Sequence, residues 1–384
     1  MSANLKASLI NRLNYWAPIA LGVTCLFLAM CIKPDTFLKA QNDFTAFYDG
    51  AKLVWTPGLY SRTANIEQMK KIHPELTDGS LVDAQYIRPP FYAVFLAPFG
   101  FFPYKMAYIV YCLIMWSCLL WFIIRFAKEC PDLPVFAAYS IPIFVTVHVA
   151  QDTPLLLVIF GTSLLLTRQG RDFAAGAVLS LLAIKFHLFL FIPIFLVLKK
   201  RWQILAGGAC GIGGLTLVSL LAGHGSPDIF RQWVQMMKDP KIATSVIPNL
   251  HGLVSSIGGG LPMELALMAT VASAYVWIVL KTDNYELLLA SSIIAGLLIS
   301  FHCGIPDDIL LFFVFVLVTS QGASVWVRST LGLAMTPVPY ILGLADDRFV
   351  GILPVLLIAL MGTFVFEAYR TSSTRAPQLA PQAA

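Results

Sequence analysis

Residues 173–201 read FAAGAVLSLLAIKFHLFLFIPIFLVLKKR. The stretch is apolar except for Lys185 and His187 near its middle and a basic triplet, Lys199-Lys200-Arg201, at its end. As one membrane span it would carry the triplet to the outer face, against the bias of Lys and Arg towards the cytoplasm. Two short helices, broken around Lys185-Phe186-His187, keep this triplet and the preceding Arg168 and Arg171 on the inside. Each arm then reaches only about 18–20 Å, short of the ~30 Å hydrocarbon core. The tip, with Lys185 and His187, is expected within the membrane or where it thins. A charged side chain in such a place is costly and is a functional candidate, although a lysine there can also pair with a structural carboxylate or snorkel outwards.

The rest of the chain supports a membrane setting. Hydrophobic residues make up 58% and charged residues 12%, where soluble domains carry about a quarter charged. Apolar runs of about 17–20 residues recur between charges, as in transmembrane helices. The expected fold is therefore an all-α polytopic membrane protein. The net charge of +5 orients such a chain and calls for no nucleic acid. The seven cysteines lie in or beside apolar runs with no CxxC or metal-ligand spacing, so they read as small core hydrophobes. No phosphate-binding loop, dinucleotide fingerprint, zinc-protease helix or nucleophile elbow is present, which argues against ATP-driven transport and serine hydrolysis.

Lys6 and Arg12 precede the first apolar run, Trp16–Ile32, which leads to Lys33-Pro34-Asp35 rather than to a small-residue cleavage pattern. It reads as a retained first helix with the N-terminus in the cytoplasm. Further spans are expected at Pro103–Ile124, Leu133–Val149, Pro154–Thr167, the broken pair, Ile204–Leu221, Met263–Leu280, Leu287–Phe301, Ile309–Val327, Leu331–Leu344 and a last run ending before Arg370. This makes about twelve helical segments in one transmembrane domain, 1–370. Two longer outer loops, 33–90 and 223–262, interrupt it, and the tail 371–384 reads as disordered.

The first loop is a polar island holding Asp43, Asp49, Arg62, His73, Glu75, Asp78, Asp83 and Arg88. A helix from Asp43 to Leu53 would put Phe44, Phe47 and Ala51 near one face. Asp43 is then either its N-cap or a general base at the membrane surface, a role that partial burial suits by moving the pKa towards the working pH. Asp49 is the weaker candidate. Arg88, in Tyr86-Ile87-Arg88-Pro89-Pro90, either snorkels to a headgroup or forks onto a phosphate. Gln151-Asp152 stands in an outer turn, where Asp152 reads as a helix cap. His302, Asp307 and Asp308 share another turn, open to three readings: a weakly signalled metal site, an ordinary helix start, or a sugar-binding group. Asn249 and His251 belong to the same open question.

These residues fall in an order that resembles glycosyltransferase family 87. Asp43-Phe44…Tyr48…Ala51…Gly58-Leu59-Tyr60 is similar to its first-loop signature, and Tyr86-Ile87-Arg88-Pro89-Pro90…Pro98 to its re-entry segment. Gln151…Leu155-Leu156-Leu157, Ala175-Gly176, Ile184-Lys185 and His302…Asp308-Ile309-Leu310-Leu311 follow its later motifs. Ala150 stands where that pattern carries Gly, and Phe186 where it carries Pro. The resemblance implies a GT-C fold in a bacterial inner membrane, with the active site facing the periplasm. It implies transfer of a hexose, typically mannose, from a polyprenyl-phosphate donor to a glycolipid or glycan acceptor, without a cofactor. The family's catalytic acid maps onto Asp43. Lys185, with Arg88 and His187, is then expected to meet the donor phosphate. Tyr48, Gln151, Asn249, His251, His302 and Asp308 are expected to line the substrate site, and a lone first-loop carboxylate fits transfer without a metal. A rival reading is a lipid-linked-sugar flippase or secondary transporter, which should show paired repeats and matching helix breaks.

Overall fold

The computed structural model describes Thr24 and residues 40–74, 85–238 and 247–375. Apart from Thr24, the first apolar run Trp16–Ile32 lies outside the described residues, as do Glu75, Asp78, Asp83 and the tail beyond 375. The described residues are helical, without a strand. Four helices are long and apolar enough to cross a membrane: Tyr104–Ala127, Trp202–Ala222, Leu261–Lys281 and the last, within Asp347–Thr371.

The first described helix, α1 (Phe44–Leu53), forms because Phe44, Phe47, Tyr48 and Ala51 repeat at i, i+3, i+4 and i+7 and are all buried. Phe44 packs its ring 4.9 Å from Tyr111 and 5.5 Å from Tyr108, so the first loop has an aromatic core of its own. Helices α2 (Arg62–Ile72) and α3 (Pro90–Leu96) complete it, followed by the span α4 (Tyr104–Ala127). The linking segment is held extended by its own tyrosines: Tyr60 donates to the Arg88 carbonyl at 2.7 Å and Tyr86 to that of Pro89 at 3.0 Å.

The expected span Leu133–Val149 is instead two helices, α5 (Leu133–Ala138) and α6 (Ile141–His148). Ser140 caps the second through the Ile143 N–H, and Pro142 sits in its first turn, a combination that starts a helix rather than continues one. After α7 (Thr153–Arg168), the opening stretch folds as the broken pair: α8 (Asp172–Leu179), a 3₁₀ segment Ser180–Leu188, and α9 (Ile192–Leu198). The break falls at Lys185, whose backbone is non-helical at φ −130° and ψ 51°. Span α10 (Trp202–Ala222) packs on α8 at backbone contact: a Cβ on Gly176 or Gly207 would lie 1.9 Å from a carbonyl oxygen of the facing helix.

Amphipathic α11 (Asp228–Met237) follows, and its Trp233 donates to the Ile87 carbonyl at 3.0 Å and meets the Phe186 ring at 5.7 Å. Next come α12 (Leu250–Ser256), α13 (Leu261–Lys281) and α14 (Tyr285–Ile299). Gly296 of α14 faces the break, where a Cβ would lie 1.8 Å from the Leu188 carbonyl oxygen. The expected span Ile309–Val327 stops earlier: α15 (Leu310–Ser320) ends before Gly322, which has φ 62°, and α16 (Val325–Ala334) is separate. The expected span Leu331–Leu344 is likewise divided, because Thr336-Pro337 starts α17 (Pro337–Ala345) anew. Helix α18 (Ile352–Arg375) runs past the expected boundary at residue 371.

Candidate active site

Five distant segments, around residues 43, 88, 151–152, 185 and 304–307, meet at one end of the bundle. Asp43 occupies the N-cap position of α1 but makes no side-chain cap bond. Asn42 accepts the Phe44 N–H instead, at 3.2 Å. The half-buried Asp43 carboxylate accepts a hydrogen bond from Gln151 Nε2 through its Oδ2. The Gln151 Oε1 in turn accepts from Arg88 Nη2 at 3.2 Å and from Lys185 Nζ at 3.3 Å.

Arg88 does not snorkel. Its guanidinium is buried over the Phe47 ring and forks onto Asp152, with Nε–Oδ2 and Nη2–Oδ1 both at 3.0 Å. Asp152 therefore departs from the cap role expected of it: it stands at the N-cap of α7 without capping it and is fully buried against Arg88. Lys185 Nζ lies 3.6 Å from Asp152 Oδ1 and 2.5 Å from Asp307 Oδ1. The second Asp307 oxygen accepts the Gly304 N–H at 2.9 Å. The cluster thus holds three carboxylates and two cations, nearly all out of water, a pairing that burial of charge requires.

The carboxyls are tuned differently. Burial pushes Asp43 above its ordinary pKa, against the Gln151 hydrogen bond and the charges of Arg88 and Lys185. Burial would raise Asp307 too, but the Lys185 charge and hydrogen bond and the Gly304 N–H hold it below the ordinary value. Asp308 turns away from Lys185: its oxygens accept no hydrogen bond, and burial, with Asp307 adjacent, raises it far above the usual carboxylate range. Among the described residues, no three His, Cys, Asp or Glu side chains are placed to hold a metal ion.

His187 and His302 stand beside the cluster with rings 6.1 Å apart. Burial, reinforced by the Lys185 and Arg88 charges and opposed by Asp307, lowers the His302 pKa. The remaining expected site residues are engaged elsewhere. Tyr48 donates to the Phe102 carbonyl at 2.8 Å. Asn249 caps α12 and donates to the Ser300 carbonyl at 2.5 Å, and His251 lies 3.1 Å from Glu264 on the surface. Asp49 is fully buried with no hydrogen-bond partner, and burial raises it well above the carboxylate range.

Asp152 and Asp307 are the members that residue-by-residue reading underweights. The signal for them is charge balance: two cations in an apolar setting, Arg88 and Lys185, need two buried anions. Next to the cluster runs an apolar cavity of about 380 Å³ between α8, the 3₁₀ segment, α9 and α10. Phe186, the residue after Lys185, lines it together with Leu179, Leu182, Ile192, Leu196 and Ile212. Cationic groups beside an apolar groove suit an amphiphile with an anionic head.

No curated protein and no solved structure matches the chain. The model of glycosyltransferase family 87 matches residues 86–303, more than half of the 384. The match includes Arg88, Gln151, Asp152, Lys185 and His302, while Asp43 and Asp307 flank it. The chain belongs to glycosyltransferase family 87 and is a membrane glycosyltransferase.

Proposed function

We propose that the protein transfers a hexose, mannose by family resemblance, from a polyprenyl-phosphate donor to an acceptor hydroxyl at the outer face of a bacterial inner membrane. The observation that carries this reading is the half-buried Asp43, linked through one amide to two buried cations that lie beside an apolar groove. The prenyl chain lies along that groove and its phosphate meets Lys185, with Arg88 and His187 near. Asp43 takes the proton of the acceptor hydroxyl. The freed oxygen attacks the anomeric carbon from the face opposite the phosphate, and the carbon–oxygen bond to phosphate breaks with its electron pair leaving on the lipid phosphate. Lys185 stabilises that departing charge. The configuration at the anomeric carbon inverts in one step.

About twelve segments in a GT-C arrangement, with both termini inside, fit this scheme. Acceptors compatible with it are glycolipids or glycan chains. The test is transfer from polyprenyl-phosphate mannose by purified protein in lipid vesicles. Asp43→Asn should lower turnover by about 10²–10⁴-fold; near-normal turnover would remove Asp43 from the role of base. Movement of the labelled lipid across the vesicle membrane with no new glycosidic bond would replace the transferase reading with a flippase.

A further inference from the structure

We propose that Gln151 is a positioning residue that selects which oxygen of Asp43 acts, rather than a substrate contact; this rests on the reading of Asp43 as base. A glutamine amide has one accepting face and one donating face. The accepting face of Gln151 is claimed twice, by Arg88 Nη2 at 3.2 Å and by Lys185 Nζ at 3.3 Å. The flipped amide would set its NH₂ group against two cations. The donating face is therefore turned to Asp43, where it occupies Oδ2. Among the described residues, no side chain donates to Oδ1. That leaves Oδ1 as the oxygen that accepts the proton.

The backbone enforces the same register. The Asp43 N–H donates to the Val149 carbonyl at 3.2 Å, and the Gln151 N–H to that of Thr146 at 3.0 Å. Ala150 between them has φ 54°, a left-handed turn that sets the direction in which Gln151 leaves the chain. The start of α1 and the 149–151 turn are thus tied to each other by backbone as well as side chain. The charged groups facing Asp43 are Arg88, Lys185 and Asp152, with Asp307 behind Lys185. Gln151 relays the field of both cations to the carboxylate while keeping them from pairing with it directly.

Gln151→Met keeps length and bulk and removes both faces. Gln151→Glu keeps the acceptor for Arg88 and Lys185 but sets a second carboxylate against Asp43. In both variants the ionised form of Asp43 loses support, so its protonation moves to higher pH. Turnover at the acid end of the profile should then fall about tenfold further than at the alkaline end, with the donor KM changed less than about twofold. Infrared titration of the Asp43 carboxyl, assigned with Asp43→Asn, reads the same shift without substrate. An unshifted carboxyl titration in a folded variant, with a large rise in donor KM, would overturn the proposal and make Gln151 a substrate contact. A shifted titration in a protein that transfers no mannose would sustain the positioning role and refute the donor assignment alone. Should Gln151→Met fail to accumulate in membranes, Gln151→Glu carries the same two readouts.

Discussion

One helix, α7, ends in two ion clusters about 24 Å apart. At its N-terminus Asp152 joins Arg88 and Lys185, with side chains between 0% and 8% exposed. In its last turn Arg168 lies 2.7 Å from Glu129 and 2.9 Å from Glu286, and Arg125 adds a contact to Glu129 at 3.1 Å. Arg168 and Glu129 are both 29% exposed. The bonds are of similar length, so geometry does not separate the two clusters. Solvent does. At the wet end Arg125, Arg168 and Glu129 have water as an alternative partner, Glu286 alone being buried, and the pairs on Glu129 add little. At the dry end removal of one partner strands the other, and each charge is tied to the whole set.

The largest effect expected is therefore at the dry end. Arg88→Met or Asp152→Leu alone should destabilise the protein by about 3–5 kcal/mol, measured by unfolding in mixed micelles, whereas the double substitution should recover most of the loss. A double variant as unstable as the singles would show that packing, not stranded charge, sets the cost. Next is Gly296→Ala, which touches no charge but pushes against the Leu188 carbonyl and so against the break that carries Lys185. Its expected cost is about 1–3 kcal/mol, with a fall in turnover from a displaced Lys185. At the wet end, Arg125→Ala, which leaves Glu129 paired with Arg168, should cost less than about 1 kcal/mol, and added salt should shrink even that. The smallest effect belongs to the turn beside the dry cluster. Ala150→Gly trades relief of a left-handed Ala against the entropy of Gly, a net gain of roughly half a kcal/mol. Activity should be retained.

What could be read in advance follows the same division between local and distant causes. The break at Lys185 was legible because basic flanks at Arg168 and Lys199 constrain where a chain can turn. The stripe of α1 was legible because Phe44, Phe47 and Ala51 repeat within one helix. The three divided spans turn on single residues, Pro142, Gly322 and Pro337, whose effect is outweighed by hydrophobicity when runs are judged by length. The partnerships of Asp152 and Asp307 were hidden because each cation and anion are 64 or 122 residues apart. Nothing in the neighbourhood of Asp152 distinguishes a helix cap from a buried counter-ion. Only the need to neutralise Arg88 does.

The position of Lys185 between its two acids also has a meaning during synthesis. Asp152 is made before it, and Asp307 emerges 122 residues later. A nascent chain entering the membrane therefore carries Lys185 with one acid partner, already shared with Arg88, until the turn at Asp307 arrives. The ribosome must add those 122 residues before that lysine has a carboxylate of its own. A chain arrested in that interval holds a buried lysine whose second acid, Asp307, has not yet been made.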